Sequence, residues 1–498
     1  MIQSFIATAL LAPSAYAYAA SAPALALAST TSCCHKLSIA LGAIVSYPDS
    51  RSYNASISSY WSQQEQLVEP SCIFSPTSAQ DVSLAMAILV PRSCKFAIRS
   101  GGHGALAGMA NIEDGVTIDL RGLDGIKISP DASSVSVGPG QTWGNVYAAL
   151  DARGVSVPGG RDSPVGVGGA TLGGGFNYFA PLAGFGCDNV VSFEVVLANG
   201  SIIAATNTTH SDLWLALKGS GNNLGIVTNF VFSTFPLGDV WGGQIYYPIS
   251  TLDAQLTALH EFVADPNYDV KAGLILNFAF SPATGPLIMD QLAYAAPLQD
   301  PEVFTAFTEI QPQNMSTTRV SSLESLSIQT GRLAPPSFGQ IVFGITFGNT
   351  LSILHQTFDI WNASTTSISH IPGIAWSLSL VPIVPAITVQ SALRGGNVLG
   401  LDDVPPEGLI LVLLSASFNS TCDDPAVDAA AERLGRNIID AAKAEGVYND
   451  YVDYNHPGRW QDPIASYGRR NWRFIRETAK RYDPDGVFQV LCPGGFKL

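Results

Sequence analysis

Glycine recurs in four tight clusters within the first 225 residues, and this pattern constrains the fold more than any other feature. The clusters are Gly101-Gly102-His103-Gly104, Gly138-Pro139-Gly140, the run from Val165 to Gly175, and the run from Gly219 to Gly225. Loops of this kind let backbone N–H groups approach an anion closely, so they suit a phosphate-bearing ligand. A G-x-G-x-x-G loop is absent, because Thr171 and Leu224 stand where its last glycine would fall, and no P-loop occurs. The separated clusters predict a long ligand extended across one domain, although each cluster alone also fits an ordinary β-turn.

The charge balance excludes several classes of partner. The chain has 498 residues and a formal net charge of −15, with 13% charged and 47% hydrophobic residues. Nucleic acid and anionic membranes attract basic patches, so we expect neither as a partner. The apolar run from Ile374 to Leu393 is broken by Pro382 and Pro385, which favours strands and turns over a membrane span. The length allows two or three domains around a large core.

The N-terminus predicts a secretory leader at residues 1–30. These residues contain no Asp, Glu, Lys or Arg, and Ala15-Tyr16-Ala17 fits a cleavage site, although the usual basic segment is missing. Six glycosylation sequons agree with a secreted protein: Asn54, Asn199, Asn207, Asn314, Asn362 and Asn419.

Seven cysteines allow at most three disulfides. We expect Cys33 or Cys34 to pair with Cys94, which would clamp the N-terminal segment beside the His103 loop. Because no C-x-x-C pair occurs, we expect no metal site. The oligomeric state stays open.

Local patterns predict short elements between residues 66 and 236. Ser78 and Asp81 suit the start of one helix, and Thr142 suits the cap of a second that Gly154 ends. Strands are predicted at 116–120, 135–137 and 226–235, and a hairpin at 190–205 turns at Asn199-Gly200. From about 240 to 440 apolar strands alternate with amphipathic helices, which predicts a separate α+β domain.

Four motifs in this order resemble the vanillyl-alcohol-oxidase-type flavoproteins, and most closely the fungal berberine-bridge-enzyme-like oxidases. They are R-S-G-G-H, V-G-V-G-G-x-x-L-G-G-G, C-D-N-V-V-S-F-E-V-V-L-A-N-G and K-G-S-G-N-N-L-G-I-V-T. The resemblance is close over about 66–236 and returns at 460–498. It implies an α+β fold with a two-lobed PCMH-type FAD-binding domain at 31–236 and a substrate-binding domain at 237–440, whose antiparallel sheet is covered by helices. Residues 441–498 would return to the FAD domain.

The resemblance also implies which residues hold FAD. His103 would bond covalently to the isoalloxazine methyl carbon. Pyrophosphate would lie against Ser100, Gly101, Gly102 and Gly104, the flavin against Gly168, Gly169, Leu172, Gly173 and Gly174, and the adenosine side against Gly225, Ile226 and Val227. Arg99, Gly108 and Gly166 complete the implied cofactor-binding set.

Two departures from the family pattern affect the chemistry. Asp162 stands where many relatives carry a cysteine that links the flavin a second time, so we expect a single covalent bond. Relatives also carry Y-x-N-Y near the C-terminus, where this chain has Tyr451-Val452-Asp453-Tyr454. Tyr454 is the candidate base, with Asp453 and Tyr451 as further catalytic candidates, or else Tyr454 only packs against the flavin. Some relatives use a Glu on a middle-domain strand, a route that the aliphatic stretch 409–414 disfavours.

The resemblance implies an oxidase that transfers hydride from a small organic substrate, of secondary-metabolite type, to FAD, with O₂ as acceptor and H₂O₂ as product. The apolar strands of the middle domain favour this substrate class. A secreted carbohydrate oxidase is the first alternative, against which Asp162 counts because those relatives often carry the double link. A flavin-carrying binding protein with little turnover is the second.

Overall fold

The computed structural model describes residues 30–498, so the predicted leader lies outside the described residues apart from Thr30. The fold is α+β, and its strands form separate sheets along the chain. Each of the predicted strands and both predicted helices of the 66–236 region are present, with ends shifted by a few residues.

The N-terminal lobe is built on a small sheet tied down by two disulfides. Its strands lie in the order Val45–Ser46, Cys72–Phe74, Val116–Asp119 and Phe96–Arg99. Cys33 bonds Cys94 and Cys34 bonds Cys72, which confirms the predicted link to Cys94. The helix Ala79–Leu89 starts with the predicted capping box between Ser78 and Asp81. These bonds anchor the strand that leads directly into the His103 loop.

The second lobe is an antiparallel sheet with strands in the order Ile126–Ile128, Ser134–Val137, Ile226–Ser233, Val190–Val196 and Ile202–Thr206. The last two strands form the predicted hairpin, and Gly200 has the positive φ (81°) that its turn requires. The helix Trp143–Asp151 buries Trp143, Val146, Tyr147 and Leu150 as its spacing predicts, although Thr142 makes no side-chain capping bond.

The third unit is a large antiparallel sheet. Its strands follow the order Met315–Ser316, Val240–Pro248, Gly285–Tyr294, Ala272–Ser281, Ala375–Ile383, Leu409–Phe418, Gly339–Gly348 and Tyr448–Asn449, with Arg319–Ser321 also paired to Val240–Pro248. Val155–Ser156 and Phe235–Pro236 form a separate two-stranded pair. This pair links the segment just before the large sheet to the second lobe.

One face of the large sheet is covered by helices. Phe278 packs on Phe358 and Trp361 of one helix, and the indole of Trp376 donates to Ser364 of the same helix. Because side chains alternate along a strand, Asn277, Ser377 and Ser379 lie on the opposite, uncovered face. The longer helices of the structure are Thr30–Leu41, Ala79–Leu89, Trp143–Asp151, Leu252–Ala264, Leu323–Gly331, Leu351–Ile368, Pro385–Leu393, Asp424–Glu445 and Gly468–Tyr482.

The apolar run from Ile374 to Leu393 does not follow the sequence prediction throughout. Its first half is the strand Ala375–Ile383, but its second half is the helix Pro385–Leu393 rather than strands and turns. Proline is tolerated in the first turn of a helix, where its missing N–H has no intrahelical partner, so Pro385 starts the helix instead of ending one. Among residues 30–498, no helix is both long and apolar enough to cross a membrane.

The six sequon asparagines are all exposed on the surface of the described chain. The remaining cysteines do not pair in the described region: Cys187 and Cys492 are buried and Cys422 is exposed.

Candidate active site

One cavity of about 540 Å³ lies between the glycine loops and the uncovered face of the large sheet. Three of the four glycine clusters contribute glycines to its wall, and the second contributes Pro139. The opposite wall comes from the sheet strands, and the C-terminal segment closes one side with Tyr454, Asn455 and His456. The cavity thus joins three of the four sequence motifs, and only the motif at 187–200 contributes no residue to its lining.

Two glycine loops meet back to back at the glycine end of the cavity. A Cβ on Gly101 would lie 2.5 Å from the Cα of Gly166, so neither loop has room for a side chain at this contact. Ser100 fixes the junction, since its hydroxyl donates to the carbonyl of Pro139 (2.5 Å) and accepts from the N–H of Gly168 (3.1 Å). The Ser100 hydroxyl is therefore engaged within the protein.

His103 stands at the edge of this glycine-lined part. Its ring stacks on Trp61 at 4.3 Å between centroids, and the ring atom Nε2 is buried without a hydrogen-bond partner in the described chain. Burial is the main cause that lowers the pKa of His103 to about 4, with a smaller contribution from the neighbouring His456, so the imidazole is neutral at physiological pH. A neutral imidazole has a free lone pair, which is what a nucleophile requires.

The loop after His103 is held by a buried carboxyl that the sequence analysis missed. Glu65 accepts the backbone N–H groups of Ala110 (2.5 Å) and Gly108 (3.1 Å). Burial raises the pKa of Glu65 to about 7 despite these two donors. The backbone N–H of Trp61 donates to the Gly102 carbonyl (3.0 Å), so residues 61–65 form a support for the whole loop.

The sheet wall presents uncharged polar groups among apolar ones. The Ser379 hydroxyl donates to the side-chain oxygen of Asn277 (2.6 Å), and the Asn277 amide donates to the carbonyl of Met289 (2.9 Å). Ser377 and Ser415 are cross-strand partners that both line the cavity. Apart from histidines, the charged side chains that line the cavity within the described region are Arg161 and Asp162. This wall suits a neutral molecule with a few hydrogen-bonding groups.

The C-terminal segment brings an acid–imidazole pair to the cavity. His456 Nδ1 lies 2.5 Å from Asp453 Oδ2, and the His456 backbone N–H donates to the Asp453 carbonyl (3.1 Å). The Asp453 side chain is 2% exposed, whereas that of His456 is 32% exposed and lines the cavity. Asn455 donates to the Gly169 carbonyl (3.3 Å) and accepts from Gly175 N–H (3.2 Å), which ties this segment to the third glycine cluster.

Tyr454 lines the cavity, but its hydroxyl packs on a glycine loop. A Cβ on Gly221 would lie 1.9 Å from the Tyr454 oxygen, and the phenyl ring meets Phe496 edge-on. Burial raises the pKa of the Tyr454 phenol well above its ordinary value. Tyr451 lies deeper, and burial together with the Asp453 carboxyl raises its pKa as well.

Most of the residues predicted to hold a cofactor lie together along the cavity. Those that line it are Ser100, Gly101, Gly102, His103, Gly104, Gly166, Gly168, Gly169, Leu172, Gly225, Ile226 and Val227. Arg99, Gly108, Gly173, Gly174, Asp453 and Tyr451 do not line it.

Arg99 shows why some predicted residues lie elsewhere. Its guanidinium stacks on Tyr60 at 3.6 Å, donates to the Ser56 carbonyl (2.6 Å) and approaches Asp119 (3.9 Å). Because side chains alternate in a strand, Ile98 and Ser100 reach the cavity while Arg99 turns into the lobe interior.

The residues along the cavity fit FAD. The unpartnered Nε2 of His103, the glycine junction without room for a Cβ and a wall with few charges match a cofactor bound through backbone N–H groups and one imidazole. A cavity of this volume is also of the size that organic ligands and cofactors occupy.

Comparison with known proteins identifies the family. The family model described as an FAD binding domain matches residues 70–206. The FAD-dependent monooxygenase sdcF of Emericella nidulans is 36% identical over 94% of this chain and 98% of its own, and the FAD-dependent monooxygenase drtC of Aspergillus calidoustus is 35% identical over 88% and 85%.

Solved structures share the fold. Xylooligosaccharide oxidase from Myceliophthora thermophila matches with a TM-score of 0.75 at 18% identity over 95% of this chain and 100% of its own. Berberine bridge enzyme matches with a TM-score of 0.74 at 16% identity over 92% of this chain and 97% of its own. The motifs, the cavity and these relatives agree, and the chain belongs to the berberine-bridge-enzyme-like family of FAD-linked oxidoreductases, alongside fungal members.

Proposed function

We propose that the protein is an oxidase of small, mostly apolar organic molecules of secondary-metabolite type, with FAD bound covalently through His103. The observation that carries this proposal is the continuity of the cavity, in which one end is lined by glycine loops and His103 and the other by a neutral sheet face. A cofactor at the first end and a substrate at the second would lie in contact. The domain division proposed from the sequence agrees with this arrangement: residues 31–236 would hold FAD at the first wall, and residues 237–440 would hold the substrate at the second.

The chain's own residues would hold the cofactor with little charge. Backbone N–H groups of the 101–104 loop would face the pyrophosphate. Gly168, Gly169 and Leu172 would contact the flavin, and Gly225 to Val227 the adenosine side. The neutral His103, held flat on Trp61, would supply the covalent link. FAD, when bound there, would supply the redox chemistry, namely acceptance of a hydride from the substrate and transfer of two electrons to O₂ with H₂O₂ as the product.

The sheet wall supports the proposed substrate class. Arg161 and Asp162 lie side by side, so the cavity offers no unbalanced charge to a charged substrate. Asn277, Ser377 and Ser415 would orient hydroxyl or carbonyl groups, and Ile275, Met289 and Leu413 would contact apolar surface. A compact metabolite with a fused or aromatic skeleton and an oxidisable alcohol, phenol or amine matches this mixture. Because Asp162 offers no thiol, we propose one covalent link rather than two.

The names of the sequence relatives favour a second candidate, a monooxygenase that incorporates an oxygen atom into its substrate. Turnover under ¹⁸O₂ separates the two functions. An oxidase releases the label as peroxide, whereas a monooxygenase transfers one labelled atom to the product. An oligosaccharide panel in the same assay tests the carbohydrate alternative.

The first experiment is an absorption spectrum of the purified protein before and after acid precipitation. We expect the yellow colour to stay with the precipitated wild type and to move to the supernatant in His103→Ala. His370→Ala, at an exposed histidine away from the cavity, is the matched control and should behave as wild type. Colour that stays with precipitated His103→Ala would refute the link, and a folded but colourless wild type would refute FAD binding.

A further inference from the structure

We propose that His456 is the group that accepts the substrate proton and that Asp453 positions it, in place of the tyrosine that the sequence motif indicates. This inference deepens the proposed function and rests on it. The proposal rests on the His456 side chain, which lines the cavity and contacts the buried carboxylate of Asp453.

The hydrogen bond between the two side chains fixes the imidazole tautomer. A carboxylate only accepts hydrogen bonds, so the contact of 2.5 Å places the proton on His456 Nδ1. The other ring nitrogen, Nε2, then keeps its lone pair. A second bond, from the His456 N–H to the Asp453 carbonyl (3.1 Å), holds both residues in one turn. The pair has the arrangement of a base and its orienting acid.

The surroundings hold the pair in place. Asn455 ties the segment to the Gly169 and Gly175 backbone, and the Val452 N–H donates to Ser466 Oγ (3.0 Å). The Asp453 carboxyl is buried, with the Tyr451 and Tyr467 phenols close to it. Such packing leaves the imidazole little freedom to turn away from the cavity.

Charged and titratable groups from other elements also face His456. His103 and Asp162 are both close enough for the imidazole to affect their ionisation. Burial raises the pKa of Asp162, while Arg161 and His456 lower it. Asp453 and Asp162 together can balance the positive charge that His456 acquires when it takes a proton.

Tyr454 is poorly suited to the same role. Its hydroxyl lies over Gly221, and no cation among the described residues faces it. The nearby Phe496 backbone lowers the pKa of the Tyr454 phenol, but burial outweighs this effect. A phenol becomes a base only when positive charge or hydrogen bonds stabilise the phenolate. Burial acts in the opposite direction here, so we assign Tyr454 a packing role.

An alcohol substrate would lose one proton and one hydride in the proposed step. The O–H proton moves to His456 Nε2, and the O–H bonding pair becomes the second bond of the new carbonyl as the C–H hydride leaves to FAD, the oxidant. The imidazolium would then return its proton to solvent, and O₂ would be the final acceptor of the two electrons. The step needs no other co-reactant.

A chemical-modification experiment tests the pair without turnover. Diethyl pyrocarbonate acylates unprotonated imidazole nitrogen, and peptide mass spectrometry follows each histidine of the purified flavoprotein separately. We expect His456 to react readily and Asp453→Asn to slow that reaction about tenfold, because the tautomer is no longer fixed. His210, His355 and His370 serve as internal controls that should not change. An inert His456, or one that is insensitive to Asp453→Asn, would overturn the assignment.

Turnover provides the second readout, with 4-hydroxybenzyl alcohol as the probe in a peroxide-coupled assay. We expect His456→Asn to lower kcat by about 100-fold or more with a small change in KM, and added imidazole to restore part of it. Tyr454→Phe should stay within about threefold of wild type, as a packing residue would. Both variants should keep their flavin content and melting temperature.

The outcomes separate the two proposals. Full activity in His456→Asn, or loss in Tyr454→Phe alone, would overturn the role of His456 while leaving the oxidase function intact. A wild type that does not oxidise the probe would count against the proposed substrate class. In that case the rates of modification by diethyl pyrocarbonate alone decide whether Asp453 fixes the tautomer of the His456 imidazole.

Discussion

The contact between Gly101 and Gly166 allows a sharp test of how the cofactor cradle is built. Alanine at 101 would place its Cβ 2.5 Å from the Cα and 2.7 Å from the N of Gly166, both of them backbone atoms. Nonbonded carbon atoms prefer about 3.5–4.0 Å, so the two loops would have to separate by about 1–1.5 Å. Over-packing of this kind costs about 1–3 kcal/mol. The same separation would pull Gly102 and His103 away from the third glycine cluster.

The assay compares denaturant unfolding and bound flavin per protein for Gly101→Ala, Gly166→Ala and the double variant. We expect each single variant to lose about 1–3 kcal/mol and most of its flavin. Both methyl groups would enter the same gap, so one separation accommodates both, and the double variant should lose less than the sum of the two.

Gly125→Ala is the matched control, because its Cβ would meet nothing within 4 Å. Removing a glycine there should leave stability and flavin content close to wild type. If Gly101→Ala is as stable and as yellow as Gly125→Ala, the back-to-back contact does not limit the cradle and the reasoning is refuted.

Three further predictions concern stability. Replacing Cys34 and Cys72 together with serine should cost about 4 kcal/mol in denaturant unfolding, from the loop entropy of a 38-residue separation. The pKa of Glu65 is raised from 4.5 to about 7, so its protonated form stabilises the folded state. This contribution is fully present below pH 4.5 and is lost as the pH rises to 7. Glu65→Gln should remove about 3 kcal/mol of this pH dependence, measured by unfolding across that range. Lys218→Met should cost about 3 kcal/mol in the same unfolding assay, because it leaves three carbonyl oxygens without the buried ammonium they share.

The parts of the fold that sequence reasoning predicted correctly are those with local causes. The Asn199-Gly200 hairpin and the Ser78 helix start depend on residues within one turn of each other, so a single sequence contains all the information. The helix Pro385–Leu393 was mispredicted because proline signals both a break and a helix start, and only tertiary packing decides between them.

The cavity walls depend on contacts far apart in the chain. Ser379 and Asn277 are separated by about a hundred residues and become neighbours only through strand register. The sequence did contain one unused local signal, the alternation of Ile98, Arg99 and Ser100 along a strand, which places Arg99 away from the cavity. A His three residues after an Asp was also visible, but spacing alone does not show that Asp453 and His456 share a turn at the cavity.

The cavity holds two histidines whose surroundings suit opposite tasks. His103 is buried against Trp61 and has no carboxylate in hydrogen-bond contact, so its neutral form is favoured and its lone pair stays free for a bond to carbon. His456 has a buried carboxylate on one ring nitrogen, which can compensate the charge of a second proton on the other. Because a positive charge on His456 disfavours protonation of His103, a proton accepted by the proposed base would keep the proposed linking imidazole neutral. The pair therefore predicts that removing His456 affects turnover and leaves the covalent link in place, whereas removing His103 releases the flavin and leaves the reactivity of His456 toward diethyl pyrocarbonate unchanged.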